Sequence, residues 1–267
     1  MTQWTSIFCQ VDDPTPLEAA LRAHLTALGY EVYDPFGLIP PKAYAQTVKL
    51  FISPAQAGWV RVIGTADADV LAGLAAFPPA LQITLEGEAP AFRVPSGEVV
   101  SALGAYLRPG ATLEDASNAI SGPMIVPPRL AAAPPPVMAV PLEALPEDVQ
   151  AMLGQVDSGA AASMFNRLSG TLMNKVGGQA EAAQALMAAS APPDWDSIGG
   201  ARIRALLGCL TMPDGWQTPD FIALRDAYPL HARRKRKPDA RLYPGDAEAL
   251  AAVPNALDYR PVFGGKR

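Results

Sequence analysis

Residues 123–146, PMIVPPRLAAAPPPVMAVPLEALP, contain eight prolines. Each lacks a backbone N–H and fixes φ, which excludes helix interiors and central strands, so the stretch reads as an extended, polyproline-like spacer. The sequence differs in kind on its two sides. Upstream, short alternating runs interleave with runs of helical period, whereas downstream only the helical period recurs. The expected organisation is an α/β domain over residues 1–122, a Pro-rich linker over 123–146, a small helical domain over 147–230 and a basic, proline-containing tail over 231–267.

In the first part, Trp4 to Val11 alternates so that Ile7, Cys9 and Val11 share one strand face, and Asp12-Asp13-Pro14 ends the run. Leu17, Leu21, Leu25 and Leu28 then recur at helical spacing up to Gly29, a C-terminal capping residue. A short strand is expected at 31–33, a loop at 34–42 where four Pro and Gly residues interrupt any regular element, and a hairpin from 47–53 and 59–64 turning at PAQAG. Val70, Leu71, Leu74 and Phe77 predict a helix stopped by Pro78-Pro79, residues 81–85 and 91–94 a second hairpin, and 99–107 a further helix. The order strand, helix, strands, helix, strands predicts a split βαβ sandwich, ferredoxin-like in its order of elements, and an α+β class for the chain as a whole.

After the linker, apolar spacing predicts helices starting at Pro146, from Ser158 to Val176, from Gln179 to Ala189, around Ile203 to Leu210 and from Phe221 to Tyr228. Beyond Tyr228, recurring prolines leave room for one short helix near 246–252. Leu242, Tyr243, Leu257, Tyr259, Val262 and Phe263 are more apolar material than a solvated tail carries, so part of it is expected to dock on the body.

The net charge of −5 hides a split. Residues 231–267 hold nine Lys/Arg against four Asp/Glu, and the rest of the chain 12 against 22. An acidic body with a basic tail points to an interaction, of the tail with the chain's own surface or with an external polyanion. No apolar run approaches the ~20 residues of a membrane-spanning helix. The start, MTQWTSIFCQVDD, has no basic segment ahead of an apolar core, so no membrane attachment and a cytoplasmic address are expected. Two widely separated cysteines, Cys9 and Cys209, and two histidines, His24 and His231, match neither a disulfide framework nor a zinc spacing, and neither cofactor nor metal is expected.

Candidate chemistry is sparse. Asp12 and Asp13 stand where a strand ends and a helix begins, a place where paired carboxylates can hold Mg²⁺ for phosphoryl chemistry; a helix cap uses the same residues and is the expected role. His24 lacks a nucleophile partner, Cys9 an activating neighbour, and Gly264-Gly265-Lys266 the strand and helix that a phosphate loop requires. Trp195 and Trp216 lie beside turn residues, where an exposed indole marks a binding surface and a buried one closes the gap between helices. Arg233, Arg234, Lys235, Arg236 and Lys237 form an unbroken cationic run able to make several phosphate contacts, although an acidic body would repel a polyanion and favours a connector or self-docking role. Titratable residues do not converge in the sequence whereas interaction features do. The expected function is that of a cytoplasmic, non-catalytic interaction or scaffold protein with a protein partner. The alternatives are a Mg²⁺-dependent phosphoryl-transfer or hydrolytic enzyme using Asp12 and Asp13, and a nucleic-acid-binding protein acting through the basic tail.

Overall fold

Apolar runs build one antiparallel sheet of seven strands, and the seventh comes from the far side of the proline-rich stretch. The structure, a computed structural model, describes residues 3–36, 44–123, 193–213, 215–239, 241–243 and 245–267. Its strands are β1 (Gln3–Gln10), β2 (Glu31–Tyr33), β3 (Gln46–Ile52), β4 (Trp59–Ile63), β5 (Leu81–Glu86), β6 (Ala89–Arg93) and β7 (Arg260–Lys266). They lie in the order β2-β7-β3-β4-β1-β5-β6, and each neighbouring pair is antiparallel. The described helices are α1 (Pro14–Ala27), α2 (Ala68–Ala72), α3 (Val99–Leu103), α4 (Leu113–Ser121), α5 (Ile198–Cys209), α6 (Phe221–Arg236) and α7 (Asp246–Ala252). The class is α+β, as the periodicities predict. β4 lies between β1 and β3, and β1 between β4 and β5, while β2, β6 and β7 make the sheet larger than a four-stranded ferredoxin-like layer.

Strand alternation assigns residues to two buried faces. On one, Ile7, Cys9, Val48, Leu50, Ile52, Val60, Val62 and Val262 meet Leu17, Leu21 and Leu25 of α1 and Val70, Leu71 and Leu74 in and after α2. The opposite face carries two separate clusters. Trp4, Phe8, Trp59, Leu81, Ile83 and Leu85 pack against Leu103 of α3, Ala116 and Ala119 of α4 and Ile203, Leu206 and Leu207 of α5. Phe51, Ile63 and Phe263 pack against Leu224 and Ala227 of α6 and against Val253, Ala256 and Tyr259. Each fully buried aliphatic or phenyl side chain contributes about 1.5–3 kcal/mol of transfer free energy, which is what holds three layers together.

Helix starts follow local chemistry. Asp13, Asp67, Ser197 and Asp220 each accept a backbone N–H of the first turn they precede, and Thr112 and Asp115 form a reciprocal capping box on α4. Two glycines are required by close approach. A Cβ at Gly265 would overlap the Tyr44 ring lying on β7, and one at Gly199 would overlap the Glu88 carbonyl in the β5–β6 turn, against which α5 begins.

Three sequence expectations change. Residues 193–230 do not form a helical domain apart from the N-terminal one: α5 packs on α4, β5 and β6, and α6 on β3. Residues 231–267 are not a tail either, because β7 pairs with β3 along its length and with β2 at its C-terminal end. The physical reason is that Val262 and Phe263, on opposite faces of β7, bury fully in two cores at once. Finally, α6 runs through Pro229 to Arg236 instead of stopping at Tyr228. The backbone hydrogen bond that proline removes is offset by packing on α7, where His231 Nε2 meets the Leu250 carbonyl at 3.3 Å and Arg233 pairs with Asp246 at 2.8 Å. The expected linker, beyond residue 123, and the helices expected from Pro146, Ser158 and Gln179 lie outside the described residues.

Of the apolar residues expected to dock the C-terminal segment, Tyr259, Val262 and Phe263 are buried, whereas Leu242 and Tyr243 are exposed. Phe263→Ala is accordingly expected to destabilise the protein by about 3–5 kcal/mol, and Tyr243→Ala by no more than ~0.5 kcal/mol; urea unfolding of the two variants side by side checks this.

Candidate binding site

Trp59, Arg61 and Ile63 alternate on β4 and so point to the face that bears two clusters. Trp59 belongs to the first cluster and Ile63 to the second, which leaves Arg61 on the line between them. The segment joining α5 to α6 crosses this line. Arg61 holds it there: Nη1 donates to the Trp216 carbonyl and Nη2 to the Pro219 carbonyl. Beside these contacts lies a cleft of about 420 Å³ walled by Phe8, Trp59, Met212, Trp216 and Tyr259, with Gln56 and Asn255 among its polar residues. Among its described lining residues there is no carboxylate.

Arg61 is only 7% exposed. Burial lowers its guanidinium to about 10, against the opposing influence of Tyr259 and Asp220, so it stays cationic at neutral pH. Among the described residues no carboxylate stands within ion-pair distance of it. Asp220 is engaged as the cap of α6, accepting the Ala223 N–H at 2.8 Å. Two of the five guanidinium N–H groups are met by carbonyls and the other three have no acceptor among the described residues.

Both predicted tryptophans brace this region. Trp4, Trp195 and Trp216 pack edge to face, with ring centroids 5.1 Å apart for Trp4–Trp195 and 5.7 Å for each of the other two pairs. Trp4 Nε1 also donates to the Gln217 carbonyl at 3.0 Å. Trp216 faces the cleft; Trp195 supports it from the first cluster.

The other sequence candidates lie elsewhere and apart. Asp13 caps α1 through the Thr15 N–H at 2.8 Å, a bond that holds its carboxyl below the usual carboxylate range. Asp12 is exposed in the bend before α1. Among the described residues no group of three His, Cys, Asp or Glu side chains is placed to share a cation. His24 Nε2 lies 2.7 Å from the Asp69 carbonyl, where α1 meets α2. Cys9 is sealed in the sheet, and burial pushes its thiol up to about 12; both cysteines are free. Arg233, Arg234, Lys235 and Arg236 form the last turn of α6, with Lys237 as its C-cap, where cations suit the negative end of the helix dipole. Arg234, Lys235, Arg236 and Lys237 are exposed, and no carboxylate among the described residues pairs with them.

Arg61 carries no motif that marks it in the sequence. It is the one cation in WVRVI, a strand whose every residue the structure buries, and a buried cation demands a partner.

If Asp13 acts as a cap alone, its depressed carboxyl pKa stabilises the protein above the ordinary carboxylate range, and that contribution is lost as pH falls through its own lowered pKa. The melting-temperature advantage of wild type over Asp13→Asn should therefore shrink on acidification, and Asp12→Asn with Asp13→Asn should show the same Mg²⁺ titration heat as wild type. Compared with known proteins, the chain matches no family model, no curated protein and no solved structure.

Proposed function

We propose that this chain is a cytoplasmic, non-catalytic interaction protein that docks an acidic protein partner on the C-terminal end of α6. The observation that carries the reading is the use of the cationic run. One of its five members, Arg233, ties α6 to α7 through Asp246, while the other four face outward from a helix end whose dipole adds negative potential only at its backbone carbonyls. Near Arg233 stands Tyr243, 59% exposed, with the Arg233 and Arg241 guanidinium groups over its ring at 6.0 and 5.8 Å, and its chain neighbour Leu242 is 39% exposed. A patch of cations around an exposed aromatic and a leucine suits an acidic partner surface that also offers apolar contact, with charge steering the encounter and the apolar pair supplying residence. An acidic excess over the rest of the chain disfavours a long polyanion at the same patch. Two free, distant cysteines fit a reducing compartment, and among the described residues no helix is long and apolar enough to cross a membrane.

Reversing Arg234, Lys235 and Lys237 to Glu in the full chain is expected to weaken binding of a Glu-rich peptide containing Leu and Phe at least tenfold, with the melting temperature held within about 2 °C. Fluorescence anisotropy in low and high salt measures it. If single-stranded RNA or duplex DNA binds tightly with a steep salt dependence and the acidic peptide does not, the cationic end of α6 is a nucleic-acid arm instead.

A further inference from the structure

We propose that the cleft at Arg61 is an oxyanion site that takes a single carboxylate carried on an apolar or aromatic body. This site is independent of the surface at the end of α6. The case starts from charge. A guanidinium taken out of water is costly unless it is paired, and breaking a buried pair leaves several kcal/mol uncompensated, so buried arginines are found with carboxylates or phosphates. Arg61 is more than nine-tenths buried and has two carbonyl oxygens for partners, which satisfy hydrogen bonds but carry no net charge.

A purely architectural role does not call for this residue. Holding the Trp216 and Pro219 carbonyls takes two N–H groups and no positive charge. Arginine adds three further donors in a planar fork and a positive charge, and it places them in the wall of the cleft. The size of that cleft, about 420 Å³, falls within the ~300–1,000 Å³ of small-ligand sites.

The walls decide which oxyanion. Arg61 is the only Lys or Arg among the described lining residues, so one positive charge is offered, enough for a monoanion and half of what a phosphate dianion requires. Half-buried Trp216 gives an apolar surface for the ligand's body, backed by the buried Phe8, Trp59 and Tyr259, and Gln56 and Asn255 stand at the polar side for whatever else it carries. A free aromatic acid and the C-terminal carboxylate of a peptide ending in an apolar residue share this chemistry.

The test is calorimetric titration of the full chain with indole-3-acetate, indole-3-acetamide, the tripeptide Ala-Ala-Phe as acid and as amide, and inorganic phosphate. At least one carboxylate should bind tenfold or more tightly than its amide, with phosphate weaker than either acid. The free acid binding as tightly as the peptide assigns a small-molecule ligand; the peptide acid alone binding assigns a chain terminus. Arg61→Gln removes the charge together with the two terminal nitrogens that hold the carbonyls, and should lose the preference for acid over amide. Should that variant fail to fold, Ala252→Trp serves, since Ala252 is exposed at the cleft's edge and touches neither carbonyl contact. It should fill the cleft, keep the melting temperature and abolish binding. Equal affinity for acids and amides, binding of phosphate alone, no binding of any probe, or unchanged carboxylate affinity in Ala252→Trp would each overturn the proposal.

Discussion

The antiparallel pairing of β7 with β3 is the contact on which the described structure depends. It joins residues 46–52 to residues 260–266, and without it β2 has no partner in the sheet and β3 becomes an edge. Side chains reinforce the pairing at both ends. Arg260 reaches Glu18 and Thr15 of α1 at 3.2 and 3.0 Å, Arg22 donates to the Pro261 carbonyl at 2.7 Å, and Lys266 donates to the Leu28 carbonyl at 3.1 Å. Such exposed pairs add little individually; the burial of Val262 on one face and Phe263 on the other is the larger effect. Closing a chain over so many residues costs less than its length suggests, because each doubling of a loop adds only about 0.6 kcal/mol. A long insertion can therefore sit between two strands of one sheet without making it unstable.

That arithmetic explains what was legible in the sequence and what was not. Period-two and period-3.6 runs located β1 to β6, α1, α5 and α7 closely and the start of α2, whose helix ends at Ala72 instead of reaching Phe77, because side-chain periodicity is a local consequence of which face is buried. The proline-rich stretch reads, from the sequence, as a boundary between domains. Proline content reports that a backbone cannot join a helix interior or a central strand; it says nothing about whether the chain afterwards returns to the same core. β7 was hidden by its own composition, RPVFGGK, in which a proline and two glycines disguise a strand. Its proline is tolerated because β2 pairs only with residues 263–265, so on that flank Pro261 behaves as an edge residue and no ladder bond is missed. Its glycines are where the rings of Tyr30 and Tyr44 come close to the strand.

The candidate site was less legible than the fold for a related reason. Residues that usually signal chemistry, the Asp12-Asp13 pair, His24, Cys9 and the cationic run, were visible as types, but each is placed singly: a cap, a helix contact, a core thiol and a helix end. Arg61 carries no motif. Its meaning comes from burial, and burial on both faces of β4 could be known only once α5 and α6 were seen to cover the second face. Trp216 was singled out for its exposure or its packing, and in the structure the two coincide, since the ring braces one cluster with one side and faces the cleft with another.

Why a cleft opens over β4 follows from sheet twist. Neighbouring strands rotate by roughly 20–25°, so β1 and β7, three steps apart in the order, differ in direction by about 60–75° on the same principle. Helices that align with one end of such a sheet cannot also align with the other. One face therefore carries two helical groups, α3 to α5 over the β1 side and α6 with α7 over the β3 and β7 side, with β4 between them. A seam of this kind must be bridged by backbone, here the segment from α5 to α6, whose carbonyls would otherwise point at an apolar floor. A donor is needed on the floor, and β4 supplies it at the position midway between Trp59 and Ile63. Choosing arginine for that place satisfies the carbonyls and leaves a charge over, so the requirement that closes the fold is also the one that makes the seam a place for an anion.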